Sequence, residues 1–325
     1  MIRINKISVI IATYNGEAYI CEQLESIVNQ TIRPDEIIIS DNMSTDKTVN
    51  LCDEFLSQLS RPIYYKILKE KHKGVTKNFE NALANSTGDY IFFSDQDDVW
   101  GKEKIEKFMV VFNENKQCNC VFSNCSLNVE GTEILIKSLL NNAERNAILP
   151  GILNKDSFLN IELRKNIVTG MSLAINKKLK SQVLPFSKYV FHDYWCAINA
   201  IFIGEIYYLD FISAYYRQHD NNVVGANSKI TIKRLINSLK NHKGKCINDL
   251  KFLLEIESKY PIIRNNNTFI NLKKIREDRL KNLQKPSLSN LYNILKNKKL
   301  YKKYISDHYG FIKDLIYLLF FSGGK

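Results

Sequence analysis

The sequence predicts an α/β fold: a mainly parallel sheet flanked by helices, followed by a basic helical region. Three observations predict it. Apolar runs of strand length alternate with helically spaced stripes through the first hundred residues. Polar clusters directly follow three of those runs, where parallel sheets bind their ligands. Charge and composition change together near residue 226, dividing the 325-residue chain into regions 1–225 and 226–325.

Ile7–Ala12 (ISVIIA) is a nearly continuous β-branched run, the pattern of a strand covered on both faces. The TYNGE turn leads to Ile20, Leu24, Ile27 and Val28, which share a helical stripe. Pro34 breaks the chain, and Glu36–Ser40 (EIIIS) supplies a second strand. Ser44 is placed to cap a helix carrying Val49, Cys52, Leu56 and Leu59. Ile63–Leu68 is the third strand; the next helix carries Val75, Phe79, Ala82 and Leu83 and ends at Gly88. Tyr90–Ser94 (YIFFS) is the fourth strand, and a helix begins near Lys102. Such alternation gives right-handed βαβ units. Farther on, CVFSNCSLNV reads as an edge strand, VTGMSLAIN as another, FHDYWCAINAIF as a helix and IYYLDFISAYYRQH as one or two strands. The last hundred residues are helical by pattern, with Leu235, Leu239, Leu250, Leu253 and Leu254 supplying apolar faces.

The chain is 45% hydrophobic and 25% charged with only 6 prolines, which excludes disordered and fibrous classes. Its net charge of +12 is concentrated at one end: Ala226–Lys325 holds 22 basic against 7 acidic residues, leaving −3 over Met1–Gly225. A region of that kind suits an anionic partner, membrane or nucleic acid. The seven cysteines are scattered, and the chain starts without a signal peptide, so reduced thiols in the cytoplasm are expected. Cys118, Cys120 and Cys125 read as small buried residues. No apolar run reaches the ~20 residues of a membrane span. The nearest, Phe311–Phe321 (FIKDLIYLLFF), is shorter and carries two charges.

Chemistry concentrates in FFSDQDDVW. Asp95 and Asp97 at a strand end can hold a hard divalent cation, Mn²⁺ or Mg²⁺, whose shell is completed by substrate phosphates and water. The competing reading is a solvated turn that caps the next helix. After the second strand, Asp41 and Asn42 can accept from a base or ribose, with Thr13, Tyr14 and Asn15 alongside and Tyr14 able to stack on a base. No G-x-G-x-x-G and no G-x-x-x-x-G-K-[ST] occurs, so a diphosphate would be held by a metal and side chains, with Lys77 assisting. In FHDYW, Asp193 stands at a helix start among aromatics and can serve as a general base or merely cap the helix. His192 can be packed or functional. His219, in YRQHDNN, can reach a metal or phosphate beside Arg217.

VIIATYNGEAYICEQLESIVNQT, EIIISDNMSTDKT, GVTKNFENAL and DYIFFSDQDDVW, in that order, resemble the inverting nucleotide-sugar glycosyltransferases of family 2, whose fold is called GT-A. The S-D-Q-D-D-x-W form, with H-D-Y-W and Y-R-Q-H-x-x-N, is similar to their bacterial rhamnosyltransferase-like branch. The resemblance covers about residues 7–225. It implies a nucleotide against Thr13, Tyr14, Asn15, Asp41 and Asn42, with Lys77 and Asp95 nearby. It also implies Mn²⁺ or Mg²⁺ on Asp97, Asp95 and His219, and sugar near Asp98, Trp100, Gly170, His192 and Trp195. Asp193 would deprotonate the acceptor hydroxyl in a single displacement without a covalent intermediate. The implied donor is dTDP-rhamnose, with a UDP-hexose or UDP-N-acetylhexosamine as the alternative. The implied acceptor is a glycan or lipid-linked hydroxyl in surface polysaccharide synthesis. Lys298, Lys299, Lys302 and Lys303, with the apolar segment after them, resemble an interfacial helix, so a cytoplasmic enzyme peripheral on the inner face of the cell membrane is expected. Two other classes compete. A nucleotidyltransferase would show a Gly-rich basic loop after the first strand, which TYNGEAYI lacks. A nucleic-acid-binding protein would be opposed by the acids of the body, so no nucleic-acid partner is expected.

Overall fold

The computed structural model describes residues 5–71, 74–129, 135–136, 148–218, 237–284, 287–304 and 310–320. The chain divides into two compact units. One comprises Met1–Phe158 with Ile167–Ala226, the other Leu159–Asn166 with Asn227–Lys325.

The first unit opens with β1 (Ile7–Thr13), α1 (Ile20–Val28), β2 (Glu36–Asp41), α2 (Thr48–Ser57), β3 (Tyr64–Lys69), α3 (Gly74–Asn85) and β4 (Tyr90–Ser94). β5 (Val99–Trp100), α4 (Lys104–Glu114), β6 (Cys118–Val129), β7 (Leu135–Ile136) and β8 (Gly151–Ile152) follow, and α5 (Lys155–Glu162) passes from this unit into the other at Leu159. A 3-10 turn (Gly170–Ser172), β9 (Leu173–Asn176), α6 (Lys177–Val183), α7 (His192–Ile203) and β10 (Glu205–Gln218) complete it. The sheet runs β3-β2-β1-β4-β9-β6-β10-β5, with β7 on β6 and β8 on β10. β3, β2, β1 and β4 are mutually parallel, and β9 is antiparallel to β4 and to β6.

Every residue of β1 and β2 is buried, as their continuous apolar runs require, whereas edge strand β3 alternates. The α1 stripe Ile20, Leu24, Ile27 and Val28 packs with Val9, Ile11, Ile37 and Phe92 in one core. Each such fully buried side chain contributes roughly 1.5–3 kcal/mol. The order reverses at β1, with β2 to one side and β4 to the other, and that reversal opens a crevice beyond their carboxyl ends. Register sets its floor: Thr13 lies opposite Asp41, and Ile11 opposite Ser94.

Several local expectations shift. The second helix begins at Thr48, and Ser44 does not cap it; Ser44 is drawn to Asp41 and Asn15. The third helix ends at Asn85, three residues before Gly88. Gly88 is needed instead for close approach, since a Cβ there would lie 2.8 Å from Ser8 N and 3.0 Å from Lys6 O. The fourth helix starts at Lys104 rather than near Lys102. CVFSNCSLNV is not an edge: β6 lies between β9 and β10, and even its Ser123, Asn124 and Ser126 are buried. Only Leu173–Asn176 of VTGMSLAIN is strand.

The second unit holds α8 (His242–Lys259), a 3-10 turn (Pro261–Asn265), α9 (Asn267–Gln284), α10 (Leu288–Lys296), α11 (Lys298–Tyr304) and α12 (Gly310–Phe320). Cys246, Leu283, Ile294, Tyr301 and Leu318 form its core, with Phe311, Leu315 and Tyr317 against it. Asp314, fully buried, accepts from Arg279 Nε at 2.7 Å and from the Tyr301 hydroxyl at 2.7 Å, and pairs with His242 Nε2. The segment expected to lie on a membrane is therefore docked by one face into its own unit. Its other face, Ile312, Ile316 and Leu319, stays partly or largely exposed. Leu254 is exposed rather than core, and Leu235 lies outside the described residues. Among the described residues no helix is long and apolar enough to cross a membrane.

Candidate active site beyond the carboxyl ends of the parallel strands

The loops after β1 and β2 are knitted together. Asn15 N donates to Ser44 Oγ at 2.8 Å, Thr45 N to Asn15 Oδ1 at 2.9 Å, and Gly16 N to Thr48 Oγ1 at 2.7 Å. Asn42 N donates to the Thr13 carbonyl at 2.9 Å, which also accepts from Asn78 Nδ2 at 3.0 Å. Asn15 has φ 47°, a left-handed conformation that asparagine tolerates. Asp41 has no exposed surface, and both its oxygens are engaged, by Thr13 Oγ1 at 2.9 Å and by Ser44 through its N–H at 2.8 Å and its hydroxyl. Its charge organises the floor of the crevice from behind. Tyr14, 55% exposed, is the side chain these bonds leave projecting.

The turn after β4 carries the acids. Asp95 and Asp97 are half-buried, and Asp98 is wholly buried. Burial, then the charges of Asp97 and Asp193, push the Asp95 carboxyl up to about 7. Asp98 is driven well above the usual carboxylate range, by burial and then by Asp95 and Asp97. Its Oδ1 accepts from Arg217 N at 3.3 Å, while Oδ2 has no hydrogen-bond partner. Arg217, on β10, also donates from Nε to the Asp97 carbonyl at 3.2 Å, pairs with Glu22, and stacks over Tyr19. Gln96, between the acids, accepts from Tyr14 N at 2.8 Å and donates to Tyr14 O at 3.1 Å.

Behind the acids lies Lys104, fully buried, donating to the Met171 carbonyl. Burial lowers its ammonium to about 7, against the opposing pull of Cys125, Asp98 and Asp95. Tyr216 feels the same group: burial and the charges of Asp98, Asp95 and Asp97 raise its phenol.

Asp193 stands in the first turn of α7, half-buried, its Oδ1 accepting from Tyr194 N at 2.6 Å. The preceding residue, His192, is stacked on Phe93 of β4, which brings Asp193 toward the end of that strand, and the Asp193 charge acts on Asp95. The structure thus brings Thr13, Tyr14, Asn15, Asp41, Asn42, Asp95, Asp97, Asp98 and Asp193 to one end of the sheet.

The residues expected near sugar are placed otherwise. Trp100 is 3% exposed, packs on Phe92, and has Lys104 over its ring. Trp195 is 3% exposed and donates to the Val183 carbonyl at 2.9 Å. His192 is sandwiched between Phe79 and Phe93, with both ring nitrogens unpartnered, and burial lowers it to about 3. Gly170 lies under that ring: a Cβ there would be 2.6 Å from His192 Nε2. All four are core residues: the three rings are buried among apolar neighbours, and Gly170 gives His192 room. Lys77 lies on the exposed face of α3, paired with Glu80. His219 lies outside the described residues. Gln96, Lys104 and Arg217 went unassigned in the sequence; Lys104 carried a signal, a lone lysine at the apolar-facing start of a helix.

Asp95 and Asp97 are hard oxygen donors, the charge of Asp97 raising the Asp95 carboxyl, and the buried Asp98 oxygen beside them is unsatisfied. That donor set fits a divalent cation of the Mg²⁺ or Mn²⁺ kind.

Comparison with known proteins agrees with this architecture. The family model described as Glycosyl transferase family 2 matches residues 8–161, which include the acid turn and stop short of Asp193. The dTDP-rhamnosyl transferase RfbG of Shigella flexneri is 36% identical over 238 residues, covering 68% of this chain and 76% of that protein. S. aureus TarS 1–349 in complex with UDP-GlcNAc superimposes with a TM-score of 0.56 at 16% identity, covering 96% of this chain and 91% of that one. The mannosyltransferase PcManGT of Pyrobaculum calidifontis, in complex with GDP-Man and Mn²⁺, gives 0.53 at 14% identity, covering 97% and 87%. These two structural likenesses speak to the fold, which is GT-A.

Proposed function

The chain belongs to glycosyl transferase family 2 and is a glycosyltransferase; from that premise we propose that it moves rhamnose from dTDP-rhamnose to a hydroxyl of a glycan or lipid-linked acceptor, with inversion. The observation that carries the reaction type is the stacking of His192, one residue before Asp193, on Phe93 at the end of β4, with the Asp193 charge acting on Asp95. A general base and a cation-binding pair then border one crevice. The rhamnosyl donor rests on the likeness to RfbG. A UDP-linked hexose or N-acetylhexosamine is the second reading, supported by the fold likeness to TarS with UDP-GlcNAc.

Tyr14 stacks on the base, and the knitted loops at Asn15 and Asn42 border the nucleoside. Asp95 and Asp97 would hold Mn²⁺ or Mg²⁺, a charge that would neutralise the diphosphate. Asp193 accepts the proton of the acceptor hydroxyl. The acceptor oxygen bonds to the anomeric carbon as that carbon's bond to phosphate breaks, and the electron pair leaves with the nucleoside diphosphate. Arg217 keeps the acid turn in place throughout, and Gln96 holds the Tyr14 backbone.

The second unit supports a role at a membrane surface. Ile312, Ile316 and Leu319 repeat at i, i+4 and i+7, so they share the outward side of α12. Exposed Lys296, Lys298 and Lys299 lie on the neighbouring helices. Apolar contact plus lysines suits an anionic leaflet.

The test of the donor is a screen of dTDP-rhamnose, UDP-glucose and UDP-N-acetylglucosamine for Mn²⁺-dependent release of nucleoside diphosphate. Turnover of dTDP-rhamnose above the others is expected. Release from a UDP-sugar alone would replace the rhamnosyl reading by the second one.

A further inference from the structure

Gln96 occupies the position between two acids whose work is done by carboxylates, yet its amide faces away from them. Oε1 accepts from Tyr14 N at 2.8 Å and Nε2 donates to Tyr14 O at 3.1 Å. The two bonds fix which end of the amide is oxygen, because the flipped amide would oppose donor to donor and acceptor to acceptor. One side chain thereby satisfies both polar groups of a single peptide residue. Gly16 makes room for it: a Cβ at that position would fall 2.6 Å from Gln96 Cδ. The next residue, Asn15, is pinned to the β2 loop by Ser44 and Thr45. Tyr14 therefore has its backbone tied on both sides while its ring stays 55% exposed.

We propose that Gln96 is a positioning residue for donor-nucleotide binding, holding Tyr14 as a rigid platform and joining it to the turn that carries Asp95 and Asp97. This rests on the reading above, in which the Tyr14 loop faces the nucleotide. A platform already ordered before binding loses less freedom when the base arrives. The amide does not touch the base; it acts through the Tyr14 peptide. The chain that presents the cation-binding acids is thus the chain that sets the direction of the stacking ring.

The experiment titrates dTDP and UDP at saturating Mg²⁺ into wild type, Gln96→Ala, Gly16→Ala and Tyr14→Ala, and measures Mn²⁺ binding without nucleotide by electron paramagnetic resonance. Loss of two neutral hydrogen bonds should weaken nucleotide binding about tenfold in Gln96→Ala. Gly16→Ala, which displaces the same amide without removing it, should weaken it in the same direction. Mn²⁺ affinity should stay at the wild-type value in both, a separation that a general loss of structure would not produce. Wild-type nucleotide affinity in Gln96→Ala, with Tyr14→Ala weakened, would overturn the role of Gln96 alone. Equal loss of nucleotide and Mn²⁺ binding in Gln96→Ala would overturn it too. Unchanged binding by Tyr14→Ala, or no nucleotide binding by wild type, would overturn the reading beneath it.

Discussion

The Lys104 ammonium lies 3.5 Å from the centre of the Trp100 ring, with no exposed surface, and its charge acts on the buried Asp98. Burial lowers Lys104 to about 7 and raises Asp98 well above the carboxylate range, while each group's charge acts on the other. Lys104→Met keeps the length of the side chain and leaves the Met171 carbonyl without its donor. An unsatisfied buried acceptor costs about 1–3 kcal/mol. Denaturant unfolding should show a loss of that order, and adding Asp98→Asn should change its size. Additive losses in the double variant would mean that the two groups do not interact.

Glu36 stabilises the opposite end of the sheet. Burial would raise its carboxyl, but hydrogen bonds from Lys6, Ser8 and Thr87 outweigh burial and bring it down to about 2. A depressed folded pKa adds stability above the unfolded value near 4.5 and loses it as pH falls toward 2. The full contribution is about 3 kcal/mol. Chemical denaturation between pH 6 and pH 3 should therefore show a steeper decline in wild type than in Glu36→Gln. Parallel profiles would remove Glu36 from the account.

Gly170 is required by the ring that covers it. With a Cβ that would sit 2.6 Å from His192 Nε2, Gly170→Ala must displace His192, which is packed on Phe79 and Phe93. Overpacking of this kind costs about 1–3 kcal/mol. Because Asp193 follows His192 directly, transfer should fall along with the melting temperature. An alanine variant as stable and active as wild type would show that the helix start tolerates movement.

Membrane contact is tested by charge placed on the outward face. Ile312→Glu with Leu319→Glu alters exposed positions and leaves Asp314 and Leu318 in the core. Wild type should sediment with phosphatidylglycerol-containing vesicles and the double variant should not. Equal sedimentation would assign the exposed stripe another partner. Deleting the helix is the poorer experiment, since its inner face is part of the unit's core.

The parallel strands and the acid turn were legible because each is written locally. β4 ran Tyr90–Ser94 as its apolar string required, and the carboxylates stood immediately after it. Side-chain direction was not legible. Trp100, His192 and Trp195 stand next to acids in sequence, which resembles a sugar platform, but packing turns all three inward. Asp41 looked like a ligand contact, and Ser44 and Thr13 enclose it instead. Gln96 and Arg217 act across 82 and 120 positions of sequence, respectively, so no local pattern announced them. The polar residues of β6 read locally as an edge, but strand order is decided by partners far away in the chain, and β9 and β10 flank it.

The central claim is that Asp193 removes the acceptor proton at a crevice whose donor is bound by other residues. Sugar transfer and donor binding measured side by side in Asp193→Asn test it most directly. General-base loss should slow transfer by about 10²–10⁴-fold, with nucleotide-sugar affinity at the wild-type level. An Asp193→Asn enzyme that transfers sugar at the wild-type rate would contradict the claim.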